Sequence, residues 1–290
     1  MEKDYAISFT RLIAMLMIIA CHVFQYYENE LAWWLNCGVQ VFLIISGFLY
    51  GQKEIKNPVI FIFNRAKKIL IPYYIYFISM CFIYYLIAKP STTFSSIVKG
   101  LFLCDTLEGL GHLWFVGVII ICYFVTPYIF GFCSEFVDNN IFKSFVKIIG
   151  FFVLAQVIGI VCFSYVTTYR IACYIFGYFF GYFYYKFGRK VISRCGIIII
   201  PFSIVFNTVR AIIKYTGVIK LSGYQKTIFT IAEGYGHLLL GASIFIVIFL
   251  ILNKHKWGKN RFLDFSDKYS YYIYCSPFLD FGTNIHSITF

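Results

Sequence analysis

Arg11-Leu-Ile-Ala-Met-Leu-Met-Ile-Ile-Ala-Cys-His22 is the stretch that decides how this chain is read. It is an apolar run with a permanent cation near its start and a titratable imidazole near its end. In a helix, eleven positions at about 100° each make about three turns plus about 20°, so Arg11 and His22 share a face. At ~1.5 Å per residue they stand roughly 16 Å apart, about half the hydrocarbon thickness of a bilayer. Ionisable side chains inside a spanning helix are costly and usually face a protein interior or a water-filled cavity. A polar shaft along this helix tolerates both, and the rest of the chain reads as its wall.

The composition agrees. The 290 residues are 60% hydrophobic and only 13% charged, whereas a soluble domain is nearer half apolar and a quarter charged. With several apolar runs of bilayer length, this predicts an all-α polytopic membrane protein. A barrel is excluded, because its strands are short and alternate in polarity. Nine transmembrane helices are expected, at roughly 6–27, 35–51, 70–88, 112–132, 143–165, 171–187, 196–216, 236–252 and 265–283. They are read as one domain, 1–290, built around a polar central channel, with no appended soluble domain. The first span does not read as a cleavable signal, since Gln25-Tyr-Tyr-Glu-Asn-Glu30 follows it instead of a small-residue cleavage pattern.

The formal net charge of +12 does not point to nucleic acid. Lys and Arg collect in a few short loops, as membrane orientation alone would arrange them. Lys53, Lys56, Arg65, Lys67 and Lys68 fall between spans two and three, with further basic loops at 186–194 and 254–268. These loops are expected on the cytoplasmic side, which puts the N-terminus inside a bacterial-type inner membrane. His22, His112 and His237 then lie towards the outer side and Arg11 towards the inner. The ten cysteines show no ligand spacing, so no metal is expected. Gly47-Phe-Leu-Tyr-Gly51 and Gly177-Tyr-Phe-Phe-Gly181 read as close helix contacts. Pro72, Pro127, Pro201 and Pro277 are expected to kink or end helices, and Trp33, Trp34, Trp114 and Trp257 to anchor the interface.

Four stretches taken together resemble the integral-membrane acyltransferase 3 family. Arg11 and His22 match its Arg-x10-His first helix. Gly38-Val-Gln-Val-Phe-Leu-Ile-Ile-Ser46-Gly47-Phe48 matches its second helix, with Gln40 where an acidic residue is common. Arg65-Ala-Lys67-Lys68-Ile-Leu-Ile-Pro72-Tyr73 matches the basic approach to its third helix, and His112-Leu-Trp-Phe115 matches its His-Leu-Trp-Phe helix. The late motif is met by Ser270-Tyr-Tyr-Ile-Tyr274-Cys-Ser-Pro277, with Pro in place of His. The family usually has ten helices. The resemblance implies a membrane O-acyltransferase that moves an acyl group, mostly acetyl, from cytoplasmic acetyl-CoA to a hydroxyl of a glycan such as O-antigen, capsule or exopolysaccharide.

That chemistry needs a base for the hydroxyl proton, and neutral imidazole suits the task because its unperturbed pKa lies near physiological pH. His22 is the expected general base and Arg11 its catalytic companion along the thioester arm. Arg65, Lys67 and Lys68 are candidates for the phosphates of the donor, Arg by bidentate contact and Lys as a point charge. Gln40, Ser46, His112 and Trp114 are candidates for the acceptor side, and Glu233 with His237 for an acid–imidazole pair near the outer mouth. The expected partners are the lipid bilayer and a glycan or lipid-linked glycan acceptor. The alternatives are a transporter or flippase using the same shaft, although no duplicated halves are visible, and a truncated, inactive acyltransferase.

Overall fold

Two glycine pairs set the centre of the molecule. The computed structural model describes residues 5–86, 93–107, 110–136, 141–162, 164–216, 222–252 and 260–266. Among the described residues ten helices follow one another, with a further helical stretch at 261–266: α1 (Tyr5–Tyr26), α2 (Leu31–Leu35), α3 (Gly38–Gly51), α4 (Pro58–Leu86), α5 (Phe94–Leu101), α6 (Trp114–Phe136), α7 (Ile141–Cys162), α8 (Tyr165–Phe187), α9 (Arg189–Thr216) and α10 (Tyr224–Leu252). No strand occurs among the described residues. A Cβ added at Gly47 or Gly51 of α3 would collide with the Tyr174 or Tyr178 carbonyl of α8, and one at Gly177 or Gly181 would collide with Ile44 or Phe48. The two small-xxx-small pairs therefore meet each other, backbone on backbone.

Other helices pack around this α3–α8 seam. Phe48, Phe245, Phe249 and Tyr184 fill its inner flank, with Phe48–Phe245 ring centroids 5.0 Å apart and Tyr184–Phe249 centroids 5.5 Å apart. α1 and α10 lie against α3, α6 and α7 against α8, α9 against α10, and α4 against α6. Buried hydroxyls are bonded across helices, as with Thr126 and Tyr174 at 2.6 Å and Tyr235 to Gln156 at 2.8 Å. Such pairing removes most of the penalty of taking polar groups out of water. The outward faces of α4, α7 and α9 expose long apolar side chains such as Ile75, Phe82, Val153, Val161, Ile197 and Ile204. Faces of that extent suit lipid.

Eight of the nine expected spans each coincide with a helix among the described residues, with 87–88 and 163 at their edges outside that set. The ninth, 265–283, lies almost wholly outside them, as do Trp257 and the 270–277 motif. Seven spans are long and apolar enough to cross a membrane. α8 is as long but less apolar, and it is enclosed by other helices, so lipid does not set its composition. The prolines break nothing: Pro72, Pro127 and Pro201 all sit inside helices. Four helices begin earlier than the apolar runs suggest. α4 starts at Pro58, α8 at Tyr165 behind the Ser164 cap, α9 at Arg189, and α10 at Tyr224. α4, at 29 residues, is about 44 Å long against a hydrocarbon core of ~30 Å. Arg65, Lys67 and Lys68 therefore lie on helix, behind an apolar start at 58–63, and not in the loop expected there.

Candidate functional site

α1 delivers Arg11 and His22 to opposite ends of the bundle. At one end, a cavity of about 150 Å³ opens between α1, α3 and the start of α6. Ile18, His22 and Gln25 line it from α1, and Asn36 and Val39 line it from the turn into α3. His112, Trp114 and Arg170 form the polar side of the opposite wall, and Cys21 and Leu35 complete the lining. His112 is held in a short 3₁₀ turn, Gly111–Leu113, and is buried. Arg170 lies flat on Trp114, its guanidinium carbon 3.3 Å from the ring centroid, with the Tyr169 ring 5.8 Å away. Trp114 is therefore a platform inside the cavity and not an interface anchor.

At the other end, Tyr50, Phe61 and Tyr123 form an aromatic group, with Tyr50–Phe61 centroids 5.3 Å apart and Tyr50–Tyr123 centroids 5.6 Å apart. Arg65 and Lys53 both approach the Tyr50 ring, at 5.2 and 5.8 Å. Lys53 carries the electrostatic signature of this end. Partial burial lowers its ammonium below the ordinary lysine value, and Arg65, Arg11 and Lys68 lower it further, in that order. The charges acting on Lys53 are all cations. A proton is held less tightly where positive charge is concentrated, and such a place suits a polyanion. Lys67 is not part of it. It is exposed, and about 200° around α4 from Arg65.

Between the two ends, Val39 and Ser46 are seven residues apart, which keeps them within about 20° on one stripe of α3, and Lys53 follows in the turn after the helix ends at Gly51. Ser46 is half-buried on that stripe but does not line the cavity. No residue of the cationic end is among the described lining of the cavity, so this cavity does not trace the expected central channel from Arg11 to His22. Gln40 is buried and used locally: with its amide turned so that nitrogen and not oxygen meets the two acceptors, it donates to the Asn36 and Cys37 carbonyls at 2.8 and 3.3 Å. It holds the turn whose residues wall the cavity.

The expected Glu233–His237 pair does not form. Glu233 accepts from Trp33 Nε1 at 3.0 Å and lies 4.0 Å from Arg210. Arg210 donates to Asn207 at 2.6 Å and sits 4.8 Å over the Trp33 ring. His237 meets Trp33 edge to face at 5.6 Å, and its Nε2 is buried without a hydrogen-bond partner. A Cβ at Gly236 would occupy the space of the Arg210 guanidinium, and one at Gly234 that of the Tyr169 ring. The reason is depth: because α10 begins twelve residues before the expected 236, Glu233 lies within helix beside α9, where a strong cation claims it. Trp33, expected as an anchor, is buried in this network.

Arg170, Arg210 and Lys53 are the residues that sequence reasoning did not single out as site members. Ser164-Tyr-Val-Thr167, a side-chain cap on the start of α8, was the available signal for Arg170, since it places that residue inside the helix. No group of three or more metal-ligating side chains occurs among the described residues. A family model described as an acyltransferase domain matches residues 4–281. No curated protein and no solved structure matches the chain.

Proposed function

This chain belongs to the acyltransferase 3 family and is a membrane acyltransferase; from that premise we propose that it moves an acetyl group from cytoplasmic acetyl-CoA to a hydroxyl of a cell-envelope glycan. The observation that carries this reading is the sorting along α1. His22 faces a small cavity with no carboxylate among its described lining residues, and Arg11 acts on Lys53 together with Arg65 and Lys68.

Acetyl-CoA is a polyanion with a long uncharged arm. The cationic end fits its phosphates, and the Tyr50–Phe61–Tyr123 group offers aromatic faces beside them. Basic residues gather at that end, which the positive-inside rule assigns to the cytoplasm, with the N-terminus inside an inner membrane. The ~16 Å rise from Arg11 to His22 matches the reach of an extended pantetheine arm along the α1–α3 stripe. His22 takes the proton of the acceptor hydroxyl, and the deprotonated oxygen attacks the thioester carbonyl. The acceptor is a polysaccharide or its lipid-linked precursor reaching the cavity from the opposite side of the membrane.

Replacing His22 with Ala tests this. The expected outcome is loss of the O-acetyl signal from the NMR spectrum of the envelope polysaccharide, with the amount of membrane-inserted protein unchanged. An O-acetyl signal that survives His22→Ala would overturn the assignment of the base.

A further inference from the structure

Resting on the reading of His22 as base, the geometry points to Arg170 as the group that holds the oxyanion of the tetrahedral intermediate. Four observations converge. Arg170 lines the same cavity as His22. Its guanidinium is held by its face on Trp114 at 3.3 Å and its edge hydrogen-bonds the Tyr169 side chain, which fixes the plane of the fork. Its Nε is enclosed without a hydrogen-bond partner, so a hydrogen bond into the cavity comes from the Nη side of the fork. No carboxylate is among the described residues that line the cavity. A guanidinium fixed by stacking in a site with no competing carboxylate is organised in advance for negative charge that exists only during the reaction.

The cavity size argues for the oxyanion over an acidic group on the acceptor. About 150 Å³ is the scale that holds a molecule of benzene. It admits the acetyl thioester and one hydroxyl-bearing carbon, while the rest of the acceptor sugar stays at the open mouth. The step balances with His22, Arg170 and the two substrates alone. The acceptor O–H proton passes to His22 as the oxygen bonds to the thioester carbon, and the carbonyl π pair moves onto its oxygen, where Arg170 hydrogen-bonds it. Collapse breaks the C–S bond. The thiolate takes the proton from the His22 imidazolium, leaving the O-acetyl ester and free coenzyme A thiol.

The test uses the full-length protein in detergent, acetyl-CoA, and polysaccharide isolated from cells lacking the gene, with thiol release followed over time. Arg170→Met is expected to lower kcat by ~10²- to 10³-fold, with KM for acetyl-CoA and for the polysaccharide unchanged within about twofold. Arg170→Ala is expected to regain part of its rate when guanidinium chloride is added at low millimolar concentration, a response that a purely structural role would not give. Arg170→Lys, which keeps the charge but loses the flat fork, is expected to fall between Met and wild type. An unchanged kcat in Arg170→Met would overturn the inference, and so would a loss confined to KM for the polysaccharide. Wild-type protein that releases no thiol under these conditions would instead count against the acetyl-CoA reading itself, so the two failures are distinguishable.

Discussion

Two arginines in this protein rest on tryptophans, and they differ in what else they touch. Arg170 lies on Trp114 at 3.3 Å and faces a cavity. Arg210 lies over Trp33 at 4.8 Å, is 3% exposed, and is closed in by Asn207 and Glu233. The same two residue types therefore make a waiting site in one place and a structural clasp in the other. What separates them is the carboxylate. Glu233 neutralises Arg210 and also accepts from Trp33, tying α2, α9 and α10 together. No carboxylate stands among the described residues lining the cavity of Arg170, so its charge is left for a ligand.

The sharpest way to break this comparison is to remove one member of the clasp. Arg210→Met leaves Glu233 buried without its cation and is expected to destabilise the fold by about 3–5 kcal/mol, seen as loss of detergent-extractable monodisperse protein. The double change Arg210→Met with Glu233→Leu removes both charges and should recover most of that loss. Arg170→Met, by contrast, should leave the yield near wild type while removing turnover. Equal loss of yield from Arg170→Met and Arg210→Met would erase the distinction.

A smaller change sharpens it further. Trp33→Phe keeps a ring beneath Arg210 but deletes the indole donor to Glu233, and should cost about 1–3 kcal/mol in thermal unfolding for the unsatisfied carboxylate. Trp114→Phe keeps a stacking face beneath Arg170, so its stability should stay within about 1 kcal/mol of wild type.

The smallest effects belong to the opposite end of the bundle. Arg65→Ala should raise KM for acetyl-CoA several-fold, and added salt should shrink the difference because the contacts are partly exposed. Lys67→Ala, on the exposed side of α4, should leave KM unchanged. A larger effect at Lys67 than at Arg65 would mean that the donor approaches a different face.

Much of this is legible in the order of the residues. The Arg11–His22 face rests on helix periodicity within a single segment, and the meeting of Gly47–Gly51 with Gly177–Gly181 is prefigured by their spacing. His22, His112 and Trp114, all candidates on sequence grounds, line one cavity. Other expectations failed for a common reason. Hydropathy marks where a helix is apolar, not where it begins. α4 carries Asn64, Arg65, Lys67 and Lys68 in its second and third turns, and the first turns of α8 and α10 carry Thr167, Thr168, Gln225, Lys226 and Thr227, so the basic segment, Arg170 and Glu233 all read as loop. Once in helix, Glu233 sits at the level of Arg210, and Arg170 at the level of His22 and Trp114.

What the sequence determined by itself is therefore what depends on neighbours along the chain: a multi-span helical protein of the acyltransferase family, with a cation and an imidazole on one face of its first helix. Which cation is spent on a carboxylate and which faces a cavity was decided only by the tertiary structure. Charge pairing acts over a few ångströms between helices, and the approach of those helices is set by glycines whose partners lie far away in the chain.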